Sequence, residues 1–258
     1  MDNPSVKEIQ AELLILLKKF HSICMENGIK YSLYAGTLIG AVREKGFIPW
    51  DDDVDISFTR AEYNKFRDVI TKMELDDEFR FSEYDNAFPQ LWMKREGKCA
   101  VWLDFFIYDF ITASRLGQKI KCAGIAFYLG IMKNKQTMIL TKERGLYKGI
   151  KYAAVYMLYL LGKPFSARFK ARQADKFRQS FAGDRSLIHR SNDRYIGIAQ
   201  VHPKSVMEEY IMVPFEDTEL MITKDYHRIL VVSYDENYMI PKEPSGGEGT
   251  VHNIARIL

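Results

Sequence analysis

The chain starts with one helical pattern and then turns to shorter elements. Apolar side chains recur every three or four positions over residues 6–25, which predicts a core helix that ends at Asn27-Gly28. Residues 31–33 are aromatic and branched, as is typical of a short strand. Residues 35–43 predict a tight turn that enters a short helix.

Three strands are predicted further along. Residues 54–58 alternate between apolar and polar side chains, which indicates a half-buried strand, and Thr59 can cap a helix through about Met73. Residues 90–94 and 100–110 form two extended segments separated by a turn-forming Arg-Glu-Gly-Lys, so a hairpin is predicted. We therefore expect an α/β fold, with a small mixed sheet and helices on its back face.

The second half is more helical and then less regular. Apolar runs at 122–132 and 152–162 have the length of core or interfacial helices, and neither reaches the roughly 18 to 20 residues of a membrane span. After Gly183-Asp184 we expect short irregular elements. Residues 240–250 are rich in Pro and Gly, which predicts a loop.

Composition excludes several classes of protein. The 258 residues are 47% hydrophobic and 28% charged, values of a globular chain rather than a disordered or collagen-like one. The N-terminal residues lack the pattern of a secretory signal, so a cytoplasmic protein is expected. Three widely spaced cysteines predict neither a disulfide framework nor a structural zinc site.

The net charge of +3 hides a strong asymmetry. Residues 115–178 contain fifteen Lys and Arg but only two acids, Glu143 and Asp175, so this segment carries +13 and the remainder −10. A basic segment in an acidic body predicts an anionic partner, either a phosphate-rich ligand or a membrane surface.

The candidate chemistry lies in a cluster of acids. Asp53 and Asp55 have the same strand parity, so they point to one face and repel each other. Asp104 lies between apolar neighbours in a predicted strand that could bring it beside them. A bound Mg²⁺ or Mn²⁺ would resolve the repulsion, and burying an unpaired carboxylate is costly, so a metal site is favoured over a solvated acidic turn.

Other residues are candidates for binding phosphate. In Gly36-Thr37, the glycine lets a phosphate approach the backbone while the hydroxyl and the amides donate hydrogen bonds. Arg43 and Lys94 are candidate phosphate neighbours, although either could equally be a solvated surface cation. His252 follows a flexible loop and could close over the site, or it could be structural.

These residues carry a resemblance to a known family. Residues 36–43 (GTLIGAVR) and 46–56 (GFIPWDDDVDI) resemble the LicD family of phosphorylcholine transferases, relatives of fukutin and fukutin-related protein with a nucleotidyltransferase-like fold. Residues 104–109 (DFFIYD) are similar to the family's Asp-Ile-Phe-Pro-Leu-Asp. Residues 214–216, followed by Tyr226 and then Tyr238-Met239, are similar to its C-terminal half. Ile107 replaces the usual proline, which changes the stiffness of the chain near Asp109 but leaves Asp104 intact. The ending differs from the usual Leu-Pro-Pro, which bears on specificity more than on chemistry.

The resemblance implies a reaction. A phosphorylated alcohol would move from a CDP-activated donor, CDP-choline first among them, to a sugar hydroxyl of a teichoic acid, lipopolysaccharide or capsule precursor, with release of CMP. Asp53, Asp55 and Asp104 would bind the divalent ion, and Asp104 is also the candidate general base. Asp51, Asp109 and His252 are candidate supporting residues. No nucleic acid partner is expected.

The same resemblance frames the domain organisation. We expect one LicD-like catalytic domain with a nucleotidyltransferase-like core at 1–112, a basic helical insertion at 113–180 and a part at 181–258 that completes the site. The insertion could hold the protein against the inner face of a membrane, near a lipid-linked acceptor. Two other functions stay open: nucleotidyl transfer to a small molecule, with pyrophosphate as the product, and a non-catalytic nucleotide-binding module.

Overall fold

The computed structural model describes residues 4–83, 88–143, 149–180, 183–193 and 195–241. In chain order, the helices are α1 (Val6–Glu26), α2 (Ala35–Arg43), α3 (Arg60–Ile70), α4 (Arg115–Ile131), α5 (Lys135–Glu143), α6 (Ile150–Gly162), α7 (Ala167–Gln179), α8 (Tyr195–Ile198) and α9 (Tyr226–Tyr234). The strands are β1 (Ser32–Leu33), β2 (Val54–Thr59), β3 (Phe79–Ser82), β4 (Gln90–Met93), β5 (Val101–Ile111), β6 (Leu187–Arg190), β7 (Val201–Pro203), β8 (Tyr210–Phe215) and β9 (Thr218–Thr223).

The chain forms two compact units. The first comprises Met1–Tyr108 and His202–Leu258, and the second comprises Asp109–Val201. The segment predicted as a basic insertion, 113–180, falls inside the second unit.

The first unit is built on a mixed sheet. Its strands follow the order β1-β2-β5-β4-β3, with β2 and β5 parallel and the other neighbours antiparallel. β5 lies in the middle, and nearly all of its side chains are buried, as expected of a strand covered on both faces. The predicted α/β fold and the β4–β5 hairpin are confirmed. β3 was not predicted.

The core of the first unit is aromatic. Helix α1 starts with a capping box in which Ser5 and Glu8 satisfy each other's backbone amides, and its apolar stripe is buried. From that stripe, Phe20 meets Phe58, Phe66 and Phe105 at ring-centroid distances of 5.4–6.0 Å. Thr59 caps α3 as predicted, by accepting a hydrogen bond from the Glu62 amide, and α3 ends at Ile70.

The expectation of irregular structure after residue 184 is wrong for residues 210–234. Strands β8 and β9, of six residues each, form an antiparallel hairpin, and α9 follows it. Phe215, Leu220 and Leu230 from these elements are buried in the core of the first unit. The hairpin turn has a positive φ of 53° at Glu216, a position that glycine or asparagine usually fills. The turn therefore carried no recognisable sequence signal.

The second unit is mostly helical. Both predicted apolar runs are helices, in α4 and α6. Gly130 of α4 lies against Leu158 of α6, and Gly162 lies against the Ile131 carbonyl, so the two helices approach closely at their glycines. All three cysteines are free thiols. Among the described residues, no helix combines the length and the apolar character needed to cross a membrane.

Candidate active site

The predicted acids lie on neighbouring strands. The parallel register of β2 and β5 places Asp55 directly beside Asp104. Residues that are in register on adjacent strands point to the same face of a sheet, so both carboxylates project from one face. Asp104 is only 7% exposed, in a strand that is otherwise apolar over most of its length. The structure therefore brings Asp104 beside Asp55, as the sequence predicts.

Asp104 is held from its other side by Gln90. The β4–β5 register places Gln90 opposite Asp104, and the Gln90 side-chain amide donates to Oδ1 of Asp104 at 2.5 Å. This hydrogen bond orients a buried carboxylate and offsets part of the cost of its burial. Sequence reasoning missed Gln90, although a polar residue at the start of a buried hairpin strand was an available signal.

Asp51 and Asp53 form a second acidic pair, just before β2. Burial, followed by the charge of Asp53 and a hydrogen bond with it, raises the pKa of Asp51 to about 8. The protonated form of Asp51 is therefore favoured relative to an exposed aspartate, which reduces the repulsion within the pair. Asp53 and Asp55 are both half-buried while Val54 between them is buried, which is the predicted alternation.

Gly36 and Thr37 contact the acidic segment. They form the first turn of α2 rather than a turn that precedes it. A Cβ on Gly36 would lie 2.7 Å from a carboxylate oxygen of Asp51, so this position leaves no room for a side chain. The buried Thr37 hydroxyl accepts a hydrogen bond from the Asp55 amide at 3.0 Å. Both residues thus hold the acids in place at the N-terminus of a helix, where an anion is stabilised.

The two candidate phosphate cations lie in different places. Arg43 is mostly buried at the end of α2, where it donates to Glu44 at 2.6 Å and to the Tyr238 carbonyl at 3.3 Å. Lys94 is exposed just beyond β4, four residues from Gln90, which corresponds to about 13 Å along a strand. The structure does not place Lys94 beside Asp104.

The remaining candidates lie elsewhere. Asp109 belongs to the second unit, where it is buried and accepts a hydrogen bond from Ser191 at 2.5 Å. His252 lies outside the described residues.

The loop before the acids is anchored by two residues that were not predicted from the sequence. The side-chain amide of Gln10, on α1, donates to the carbonyls of Ile48 and Asp51 at 3.0 and 2.8 Å. Glu216, in the β8–β9 turn, accepts from the Phe47 amide at 2.9 Å. Both contacts join residues separated by at least 38 positions, so no local pattern could have revealed them.

The donor set can be compared with what a metal requires. Within the described residues, no group of three or more His, Cys, Asp or Glu side chains is arranged to hold a metal ion. The acids form pairs instead: Asp51 with Asp53, and Asp55 with Asp104. Carboxylate oxygens suit Mg²⁺ and Mn²⁺, and Mg²⁺ is commonly held by one or two carboxylates together with substrate phosphates. The pairs therefore fit a cation that binds together with an anionic substrate.

The mixed sheet with acids on adjacent parallel strands, beside the Gly-Thr start of a helix, agrees with the nucleotidyltransferase-like fold that the resemblance implies. Residues 28–118 match the family model described as LicD/FKTN/FKRP, nucleotidyltransferase domain. Lipopolysaccharide cholinephosphotransferase LicD of Haemophilus influenzae is 27% identical over 94% of this chain and 95% of its own length. These two matches confirm the resemblance to the LicD family and indicate a transferase.

Shorter matches cover part of the chain. Uncharacterised proteins of Rickettsia typhi and Rickettsia prowazekii are each 39% identical over 59 residues. That length is 23% of this chain and 19% and 22% of theirs, respectively, so these matches support a shared segment and add nothing on activity.

Proposed function

We propose that this protein transfers phosphorylcholine, or a similar phospho-alcohol, from a CDP-activated donor to a sugar hydroxyl of a cell-surface glycan precursor. The observation that carries the proposal is the match to a cholinephosphotransferase over nearly the full length of both chains. The acids on β2 and β5 fall within the residues that match the family model. Lipopolysaccharide is the acceptor in that relative's name, and teichoic acid and capsule precursors stay as alternatives.

The positions of the acids support the roles that we propose for them. The pair Asp55 and Asp104 would hold Mg²⁺ or Mn²⁺ together with the donor diphosphate, with Asp53 as a further candidate ligand. The ion, when bound, would supply positive charge to neutralise the diphosphate. Gly36 and Thr37 keep the start of α2 against the acidic segment, and the helix N-terminus favours the same anion. Arg43 and Lys94 lie farther from the acids, and they remain candidate contacts for a phosphate of the substrate.

Asp104 is the proposed general base. Asp104 is buried, and the hydrogen bond from Gln90 orients its carboxylate, which would accept the proton of an incoming hydroxyl. The hydroxyl oxygen would attack the phosphorus of the phosphocholine group, the bond to CMP would break, and the hydroxyl proton would pass to Asp104. CMP leaves with the electron pair of the broken bond.

The test measures CMP release from CDP-choline and CDP-ribitol, with a lipopolysaccharide-derived or teichoic acid acceptor, in Mg²⁺ and in EDTA. We expect Asp55→Asn to lower the rate about a hundredfold or more, because a charged group at the site is lost. It should remain folded, since it removes one charge from a repelling cluster. Asp68→Asn, an exposed acid on α3 that pairs with Arg67, is the matched control and should keep full activity.

The outcomes separate the alternatives. Pyrophosphate release from CTP, without CMP release from any CDP-alcohol, would favour nucleotidyl transfer to a small molecule. A thermal shift with CDP-choline but no turnover would favour a binding module. Because ligand that binds only the native state raises stability by about 2.7 kcal/mol at a hundredfold excess over Kd, the shift is measurable. An equal shift in EDTA would contradict the proposed metal requirement.

A further inference from the structure

Helix α6 leaves an apolar surface uncovered. Of its thirteen residues only Gly162 is buried. Ile150 is 89% exposed, Met157 58% and Leu161 57%, and Tyr156 and Leu160 are also exposed. We call the side chains of Ile150, Tyr156, Met157, Leu160 and Leu161 the α6 surface. Exposed contiguous apolar side chains mark an interaction site.

The helix is attached to its own unit through a different side. Leu158 packs against Gly130 of α4, and Gly162 packs against the Ile131 backbone. A helix that is apolar all round normally lies in a protein core or in lipid. Because the contacts with α4 use Leu158 and Gly162, the α6 surface is left for a partner outside the unit.

The polar side chains of α6 indicate which partner it is. Tyr152, Tyr156 and Tyr159 form a row of rings, with Tyr152 and Tyr156 stacked at 6.3 Å. A lysine stands at each end, and the Lys163 ammonium lies 5.1 Å from the centre of the Tyr159 ring. The helix contains no acidic residue. Tyrosine with flanking lysine is typical of a helix at a membrane interface, where the rings and the lysine stems are amphipathic.

The charge around α6 has the matching sign. Residues 115–178 carry fifteen Lys and Arg and two acids. The partner of this basic segment should therefore be neutral or negatively charged. A second copy of this chain would bring another basic segment against the first, and the two would repel. The inner leaflet of a membrane is anionic, and each Lys or Arg close to such a surface raises the partition about fivefold.

We propose that α6 docks on the surface of an anionic lipid bilayer and lies parallel to it, with the α6 surface inserted at the depth of the headgroups. A thirteen-residue helix is about 20 Å long, too short to span the hydrocarbon core but suited to lying flat. The biological role of this docking rests on the proposed function, because docking would bring the enzyme to a lipid-linked acceptor. Its physical basis is independent of that function.

The test uses the full chain and vesicle sedimentation. One set of vesicles is pure phosphatidylcholine and the other contains 30 mol% phosphatidylglycerol. We expect binding to the anionic vesicles only, weakening as salt is added. Met157→Ser with Leu161→Ser should lower the partition at least about tenfold, because two apolar side chains no longer insert. Lys151→Gln with Lys163→Gln should weaken it while leaving the apolar contact intact.

The matched control is Met25→Ser, which alters a side chain of α1 that is 49% exposed in the first unit and should bind vesicles like the wild type. Thermal unfolding verifies that every variant is folded. Equal sedimentation with both vesicle sets, or unchanged binding by Met157→Ser/Leu161→Ser, would overturn the proposal. So would a dimer in light scattering that this variant converts to a monomer, since a second copy would then cover α6.

Failure of the docking and failure of the proposed function are distinguishable. CMP release from water-soluble donor and acceptor does not need a membrane, so Met157→Ser/Leu161→Ser should retain it. If this variant loses vesicle binding but keeps CMP release, the docking proposal is supported. If the wild type binds vesicles through α6 but never releases CMP, the docking stands and the proposed function fails.

Discussion

The two units bury different kinds of side chain. The first fills its interior with aromatic rings and aliphatic groups around Phe20, Phe66 and Phe105. The second buries several cations: Lys121 donates to the carbonyls of Phe110 and Ser180 at 2.7 and 2.9 Å, and Arg190 is bonded to Asp193 at 2.8 Å. At the same time, the second unit exposes the apolar side chains of α6.

This difference indicates which interactions stabilise each unit. Apolar packing tolerates small adjustments, whereas a buried cation requires its carbonyl or carboxylate partners at hydrogen-bonding distance. The first unit should therefore lose stability mainly through cavities. The second should lose it mainly through changes in charge, and its exposed apolar side chains should matter little for folding in water.

The largest expected effect is on the aromatic core. Phe66→Ala removes a fully buried ring that lies 5.1–5.5 Å from three other rings, and should cost about 3–5 kcal/mol. Phe169→Ala removes a ring that is 48% exposed in the second unit and should cost less than about 0.5 kcal/mol. Urea unfolding of both variants measures the difference. Similar losses from the two would refute the contrast between the units.

The next effect is a pH dependence from the second unit. His189 is fully buried, and its Nδ1 donates to the Ile198 carbonyl at 2.8 Å. Burial lowers the pKa of His189 from 6.5 to about 4, against a smaller opposing effect of that hydrogen bond. Between pH 6.5 and 4 the unfolded chain therefore binds a proton that the folded chain does not. Stability should fall as the pH drops through this window, by about 3 kcal/mol in total.

The variant His189→Asn isolates this effect. Asparagine can still donate to the Ile198 carbonyl but does not titrate, so the free energy of unfolding should depend less on pH between 6.5 and 4. The measurement is urea unfolding at half-unit pH steps. An unchanged slope in the variant would show that other groups cause the acid sensitivity.

The smallest effect concerns the anchor of the acidic loop. Gln10→Glu keeps the shape of the side chain but replaces the donor with oxygens that repel the Ile48 and Asp51 carbonyls. We expect a loss of about 1–2 kcal/mol in stability and about a tenfold loss in CMP release. Gln118→Glu breaks a similar bond, to the Thr112 carbonyl at 2.9 Å in the second unit. It should cost similar stability without changing the rate, and equal rate losses would exclude a positioning role for Gln10.

The sequence predicted the features that depend on local interactions, and it did not predict those that depend on contacts between residues far apart in the chain. Periodic patterns predicted α1, β2 and the β4–β5 hairpin, because helix and strand periods are local. Strand parity predicted that Asp53 and Asp55 point to one face, and the apolar neighbours of Asp104 predicted a strand that could bring it beside them. The roles of these acids stay a prediction. The Gln10 and Glu216 anchors and the Gly36–Asp51 contact are non-local and could not be predicted. The β8–β9 hairpin was not predicted because Glu216, rather than glycine or asparagine, occupies the left-handed position of its turn.

The site residues are far apart in the chain, so the site can form only late in the synthesis of the protein. Asp55 and Asp104 become neighbours only after a parallel pairing that closes nearly fifty residues, and such non-local pairs form slowly. The loop that precedes the acids also needs Glu216, which lies in the β8–β9 turn and accepts a hydrogen bond from the Phe47 amide. A ribosome-bound chain that stops before β8 thus lacks one anchor of its acidic loop. The acidic loop therefore acquires its full set of anchors only when the β8–β9 hairpin has folded onto it.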